Sequence, residues 1–177
     1  MATFYSNQFA AAGTATAAVD TAYRAGQGAI GGHVFRSVAR TTTDGTANAD
    51  SFRMFRSLPS NTRLWSLTCQ VASTPSAGVI DIGLYLSGYK NDGAVVNIDL
   101  FEDGQSITSG LAEADVFTGA TLTALDRGKT LWELAAIGAA SYTVDPQIQF
   151  DITLDTPTGI VTASAVEILM VAEFLVD

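Results

Sequence analysis

Two residue types that enzymes rely on are nearly missing from this chain. It carries one histidine, His33, and one cysteine, Cys69, in 177 residues. A lone cysteine excludes an intramolecular disulfide framework and gives no reason to invoke an oxidising compartment. A lone histidine leaves a His-based metal site, or a Ser-His-Asp relay with a spare base, without its parts. No Asn-x-Ser/Thr sequon occurs. No apolar run approaches the roughly 18 residues that a bilayer-spanning helix needs. The first basic residue is Arg24, so the positive start of a signal peptide is missing and export by that route is not expected. Charged residues are few, at 15%, while apolar residues reach 47%, a balance that opposes disorder over most of the length.

The charges that are present are sorted along the chain. Six of nine Lys/Arg (Arg24, Arg36, Arg40, Arg53, Arg56, Arg63) precede residue 64, and fifteen of eighteen Asp/Glu follow residue 63. The first 63 residues therefore carry +3 (6 − 3) and the rest −12 (3 − 15), which sum to the chain's −9. Such sorting suggests two surfaces with different partners and, without catalytic groups, points towards assembly. The acidic part would repel nucleic acid phosphates and anionic membrane surfaces, so neither is an expected partner.

Residues 10–29 hold nine Ala and three Gly among twenty, with little to bury. Residues 1–30 read as an extended N-terminal arm fixed against a partner, with Phe4, Tyr5 and Phe9 as its apolar anchors. From residue 31 to 177 the pattern has period two, the signature of strands. His33–Thr43 is β-rich. Ser51–Leu58 alternates Phe52, Met54 and Leu58 against Arg53, Phe55 and Ser57. Arg63–Ala72 sets Trp65, Leu67, Cys69 and Val71 on one face. Val79–Ser87 sets Ile80, Ile82, Leu84 and Leu86 inward, with Asp81, Gly83 and Tyr85 outward. Ala94–Phe101 and Gln147–Asp155 follow the same rule, the latter with Asp151 and Asp155 on its polar face. One helix of about two turns is predicted after Thr130, where Thr130 and Glu133 fit a capping box and Gly138 supplies a stop. These elements predict an all-β fold: an antiparallel β-sandwich or jelly roll with a short helix and the extended arm. In the last strand, Ala163–Val176, Leu169, Val171 and Leu175 populate the face opposite Val166, Ile168, Met170, Phe174 and Val176. A strand apolar on both faces needs a second cover, either the arm or a long loop or else another subunit, and the last reading marks these three residues as a candidate subunit interface.

Motifs that suggest chemistry fail at their defining positions. Gly128-Lys129-Thr130 mimics the end of a phosphate-binding loop, yet the required earlier glycine is Thr123. The stretch from Asp99 falls short of a calcium loop, having Phe101 and Gly110 where oxygen ligands belong. Asp99, Glu102, Asp103, Glu113 and Asp115 are expected to form a solvated acidic rim. Asp151 and Asp155 lack the flanking aromatics a glycosidase uses. No catalytic residue, cofactor site or metal site is assigned, and Cys69 reads as buried packing material.

Several segments together resemble a known family: the start "MATFYSNQ", Gly31-Gly32-His33-Val34, "SFRMFRSLPSNTRLWSL", "GVIDIGLYLSG" and the closing "EILMVAEFLVD". They resemble small structural proteins from the head-gene regions of tailed bacteriophages, described as capsid decoration, cement or minor head proteins. The resemblance covers the arm and most of the β region, with residues 104–146 less typical. It implies a jelly-roll-like domain on the outside of an icosahedral shell, made in the bacterial cytoplasm. The major capsid protein would be its partner, a homotrimer its common state, and it would have neither enzymatic activity nor cofactor. On that reading Phe4, Tyr5, Phe9 and Arg24 would contact the capsid. Two other classes stay open: a tail- or fibre-associated carbohydrate-binding module using Tyr85, Tyr89 and Tyr142, and a β-sandwich hydrolase.

Overall fold

The computed structural model describes residues 2–5, 23–24, 33–43, 50–72, 75–87, 93–138, 140–160 and 165–176. Its strands, in chain order, are β1 (Ala2–Tyr5), β2 (Tyr23–Arg24), β3 (His33–Thr43), β4 (Asp50–Pro59), β5 (Arg63–Val71), β6 (Val79–Leu86), β7 (Val95–Ser106), β8 (Leu111–Asp115), β9 (Gln149–Asp155) and β10 (Val166–Val176). A helix, α1 (Leu131–Gly138), lies between β8 and β9.

Pairing follows one rule from β3 onward. β3 pairs with β10, β4 with β9, β5 with β8 and β6 with β7, every pair antiparallel. A long antiparallel ribbon has thus been rolled up, and the contacts β10–β5 and β9–β6 close it into two sheets. The first sheet has the order β1-β4-β9-β6-β7 and the second β2-β3-β10-β5-β8. Eight strands wound in this way form a jelly roll, as expected from the sequence. β1 and β2 add one short edge strand to each sheet, β1 in parallel with β4. Two pieces of the stretch read as an arm therefore hydrogen-bond to the sandwich.

The core lies between the sheets. Phe150, Ile152 and Leu154 of β9, Ile80, Ile82 and Leu84 of β6, and Ile168 and Met170 of β10 are fully buried. Phe55 and Phe174 meet edge to face across the layers, their centroids 5.7 Å apart. Cys69 is buried in the same core. The helix starts as its residues dictate: the Glu133 carboxylate accepts both the backbone N–H and the hydroxyl of Thr130, at 2.8 and 2.7 Å. The hydroxyl thus donates to the carboxylate instead of accepting from a helical N–H, so half of the expected box forms. α1 packs on β7, where Asn97 Nδ2 donates to the Gly138 carbonyl at 3.0 Å.

Three expectations about facing need correction. In β5, Phe174 and Glu173 oppose Leu64 and Ser66, leaving Trp65 as an extra residue. This bulge turns Leu64 into the core and leaves Trp65 51% exposed. In β4, irregular register between Arg53 and Phe55, and again before Leu58, puts Phe52, Met54 and Phe55 all inside. Finally, Asp81, Tyr85, Asp151 and Asp155 leave the far side of the first sheet, yet all four are buried, as is Arg53. Period two set the direction of these side chains but not whether water reaches them.

Candidate functional site

The outward face of the second sheet gathers the residues marked as an interface. On β10, Leu169, Val171 and Leu175 point away from the core and are partly exposed. Antiparallel register places them beside β3, with Val171 opposite Val38, Leu175 opposite Val34 and Leu169 opposite Arg40. Two charged pairings interrupt the patch. Glu173 stands opposite Arg36, and Arg40 lies 3.7 Å from Glu167, both about half exposed. An ion pair so exposed contributes at most about 1 kcal/mol, so it serves as a polar border more than a clamp. On the other side β5 presents Ser66, Thr68 and Gln70, and Thr68 donates to Glu113 of β8 at 3.2 Å. The result is a mixed face, on which the apolar pairings Val171–Val38 and Leu175–Val34 are separated by Glu173 and Arg36 and bordered by Arg40 and Glu167.

The arm residues fall elsewhere. Phe4 and Tyr5 lie in β1, in register with Phe52 and Arg53, at the edge of the first sheet. Arg24 lies in β2, in register with Phe35 and two strands from β10. Phe9 lies outside the described residues. The structure thus divides Phe4, Tyr5 and Arg24 between edge strands of two different sheets. Trp65 was missed as a surface residue. Its ring rests against Gly128, where a Cβ would sit 3.1 Å from the indole, and its carbonyl accepts from Arg127 Nη1 at 2.9 Å. Only the bulge exposes it, and nothing in the alternation of β5 announces a bulge.

The segments considered for chemistry are built into the framework. The N–H groups of Gly128, Lys129, Thr130 and Leu131 donate to Leu64, Asp126, Glu133 and Thr62, so the phosphate-loop mimic spends its amides on a corner. Lys129 pairs with Asp126 at 2.7 Å, and that bond, joined by Thr123, holds the Asp126 carboxyl down to about 2. The acidic rim is split between the sheets. Asp99, Glu102 and Asp103 belong to β7, Glu113 and Asp115 to β8. Asp115 is ion-paired with Arg127, and Glu102 is buried, with burial raising its carboxyl first and Asp103 and Asp81 adding to the effect. Among the described residues no three His, Cys, Asp or Glu side chains group as metal ligands, and no helix is long and apolar enough to cross a membrane. Of the aromatics suggested for sugar binding, Tyr85 is buried and Tyr142 packs edge-on against Phe150, while Tyr89 lies outside the described residues. Burial pushes the Cys69 thiol up to about 12, with Glu102 adding.

No family model and no curated protein matches the chain. Among solved structures it is similar to a chain of the cyanophage Pam1 capsid asymmetric unit. That match covers 92% of this chain and 99% of the other, at a TM-score of 0.50 and 13% identity. Nearly the whole of each chain takes part, so the likeness concerns the complete fold. At such low identity it is a likeness of fold alone.

Proposed function

We propose that this chain is a structural protein of a phage virion, a decoration or cement protein that binds the outer surface of the capsid and stabilises it. The observation that carries this reading is the end-to-end fold likeness to a chain of a phage capsid. Jelly rolls also serve as lectins and enzymes, so fold does not stand alone. The outward-facing Leu169, Val171 and Leu175, set among the charged residues Arg36, Arg40, Glu167 and Glu173, support an assembly role, because exposed apolar patches rimmed by polar groups mark interaction sites. The sorting of charge adds to it, since a net −12 over residues 64–177 disfavours nucleic acid and anionic membranes as partners.

In this reading the partner is the major capsid protein, the chain acts as a homotrimer with the β10 face near the contact, and the role requires no catalysis and no cofactor. Purified chain incubated with capsids lacking it should co-sediment and raise the temperature at which the shells break. Failure to co-sediment, together with binding on a glycan array, would replace this reading with the carbohydrate-binding one. Light scattering should give a mass near three chains, free or after release from shells. A strict monomer in both states would remove the trimer from the proposal.

A further inference from the structure

The far side of the first sheet takes several charged groups out of water together. Asp155 of β9 is fully buried, and register sets it directly opposite Asp81 of β6 on one side and Ser51 of β4 on the other. Directly opposed residues leave the same face, with their Cβ atoms about 5 Å apart. Tyr85 donates its hydroxyl to Asp155 Oδ2 at 2.9 Å. The Ser51 hydroxyl also bears on Asp155, although among the described residues neither its Oγ nor Asp155 Oδ1 reaches full hydrogen-bond geometry.

Arg53 is the cation that acts on Asp155. The Arg53 guanidinium lies 4.2 Å from the centre of the Tyr85 ring, reaches Thr153 at 3.4 Å and the Gly93 carbonyl at 3.3 Å, and stands 3.8 Å from Asp151. Asp151 Oδ1 accepts the Ser57 N–H at 2.7 Å. Asp81 Oδ1 accepts the Gly104 N–H at 2.7 Å, with Asp99, Glu102 and Asp103 of β7 adding negative charge around it. Asp155 as an anion therefore has a like charge across the ladder and little water around it, and both favour the protonated acid, while Arg53 and the Ser51 and Tyr85 hydroxyls pull the other way.

We propose that Asp155 and Asp81 form a proton-uptake pair. One proton taken from mildly acidic solvent and shared between them removes the cross-strand repulsion and tightens the pairing of β9 with β6. The electrostatics agree in direction. Burial first, and Asp81 last, raise the Asp155 carboxyl, against the opposing pull of Ser51, Tyr85 and Arg53. Burial first, with Asp103 and Asp99, raises Asp81 against its bond from Gly104. A carboxyl raised in the native state binds protons more readily there than in the unfolded chain. Its stabilisation is present below the unfolded value near about 4 and is lost as pH rises through the raised native value. The inference does not depend on the capsid reading and is tested without capsids.

Thermal melts of the full chain, Asp155→Asn, Asp81→Asn and the exposed control Glu113→Gln on the second sheet should be compared from about pH 7.5 down to about pH 5. The unmodified chain should gain about 2–4 °C relative to Asp155→Asn over that range, while Glu113→Gln tracks the unmodified chain. Carbon NMR of the carboxyls should show Asp155 titrating above about 4 and moving downward in Asp81→Asn. Parallel pH slopes for the unmodified chain and Asp155→Asn would overturn the proposal. So would an Asp155 carboxyl that titrates in the ordinary range, or one that does not move in Asp81→Asn. Should Asp155→Asn fail to fold, the NMR titrations of the other two proteins decide the matter.

Discussion

Gly83 of β6 lies against Asn97 of β7 so closely that a Cβ would run into the Asn97 carbonyl oxygen, and into that of Ile98 as well. Register between these strands is irregular on both sides of the contact, at Ile82/Leu84 and at Leu84/Tyr85. Backbone atoms on both strands must move to admit a methyl group. Gly83→Ala is therefore expected to cost about 3 kcal/mol, the upper part of the usual overpacking range. Gly104 offers a control. A Cβ there meets nothing within 4 Å, but its φ is +66°, so Gly104→Ala should cost only the left-handed strain, about 1–2 kcal/mol. Urea denaturation of both variants checks the order. A Gly83→Ala protein as stable as Gly104→Ala would mean that β6 and β7 are not this close.

The helix start has its own pH signature. Glu133 is held below the usual range, first by the Thr130 N–H, against some opposing burial. A lowered native value means stabilisation that is present above the ordinary glutamate value near about 4.3 and is lost as pH falls through the native one. Glu133→Ala should cost about 0.5–2 kcal/mol at neutral pH, as for loss of a helix cap, and the difference should shrink in acid. Melting curves of both proteins across that range check it. A gap that widens in acid would contradict the assignment. The slope is opposite to that expected of Asp155, so the two effects separate in one pH series.

Cys69 should be silent while the fold lasts. It is buried, and its thiol is pushed up to about 12, leaving almost no thiolate at neutral pH. A thiol reagent should label the native chain only as fast as it opens, and label it fully in denaturant. Stoichiometric labelling under native conditions would place Cys69 outside the core.

Deleting residues 1–28 removes β1 and β2 but none of the eight strands that pair as the rolled ribbon. Circular dichroism should stay that of a β protein, with capsid binding weakened about tenfold or more, or about 1.4 kcal/mol. Loss of the fold on deletion would make these edge strands integral to the sandwich. Undiminished capsid binding would move the whole contact to the β domain.

Most strands were legible because burial on one face and solvent on the other write themselves as alternation. Ile148, Phe150, Ile152 and Leu154 against Gln147, Gln149, Asp151, Thr153 and Asp155 is such a record. The capping residues Thr130 and Glu133 marked the helix equally well. β8 was not legible: Leu111–Asp115 has an exposed or half-exposed strand's mixture of Ala and acids, which reads as a charged rim. Bulges were illegible too, since the shift that turns Trp65 outward depends on where β10 happens to pair. The buried charges of the first sheet escaped for a different reason. Local sequence fixes the direction of Asp155, while its burial depends on what the rest of the chain lays over that face. Leu169, Val171 and Leu175 were found because three large apolar residues on the wrong side of a strand break the pattern visibly.

The central claim is that this jelly roll sits on the outside of a phage shell, engaged through the outward face of β10. A cryo-electron microscopy map of capsids decorated with the purified chain tests it directly. The expected map shows jelly-roll density on the outer surface in threefold groups, with Leu169, Val171 and Leu175 covered by a neighbouring subunit or by the shell. Shells without added density, or with the chain bound while that face stays open to solvent, would contradict the account.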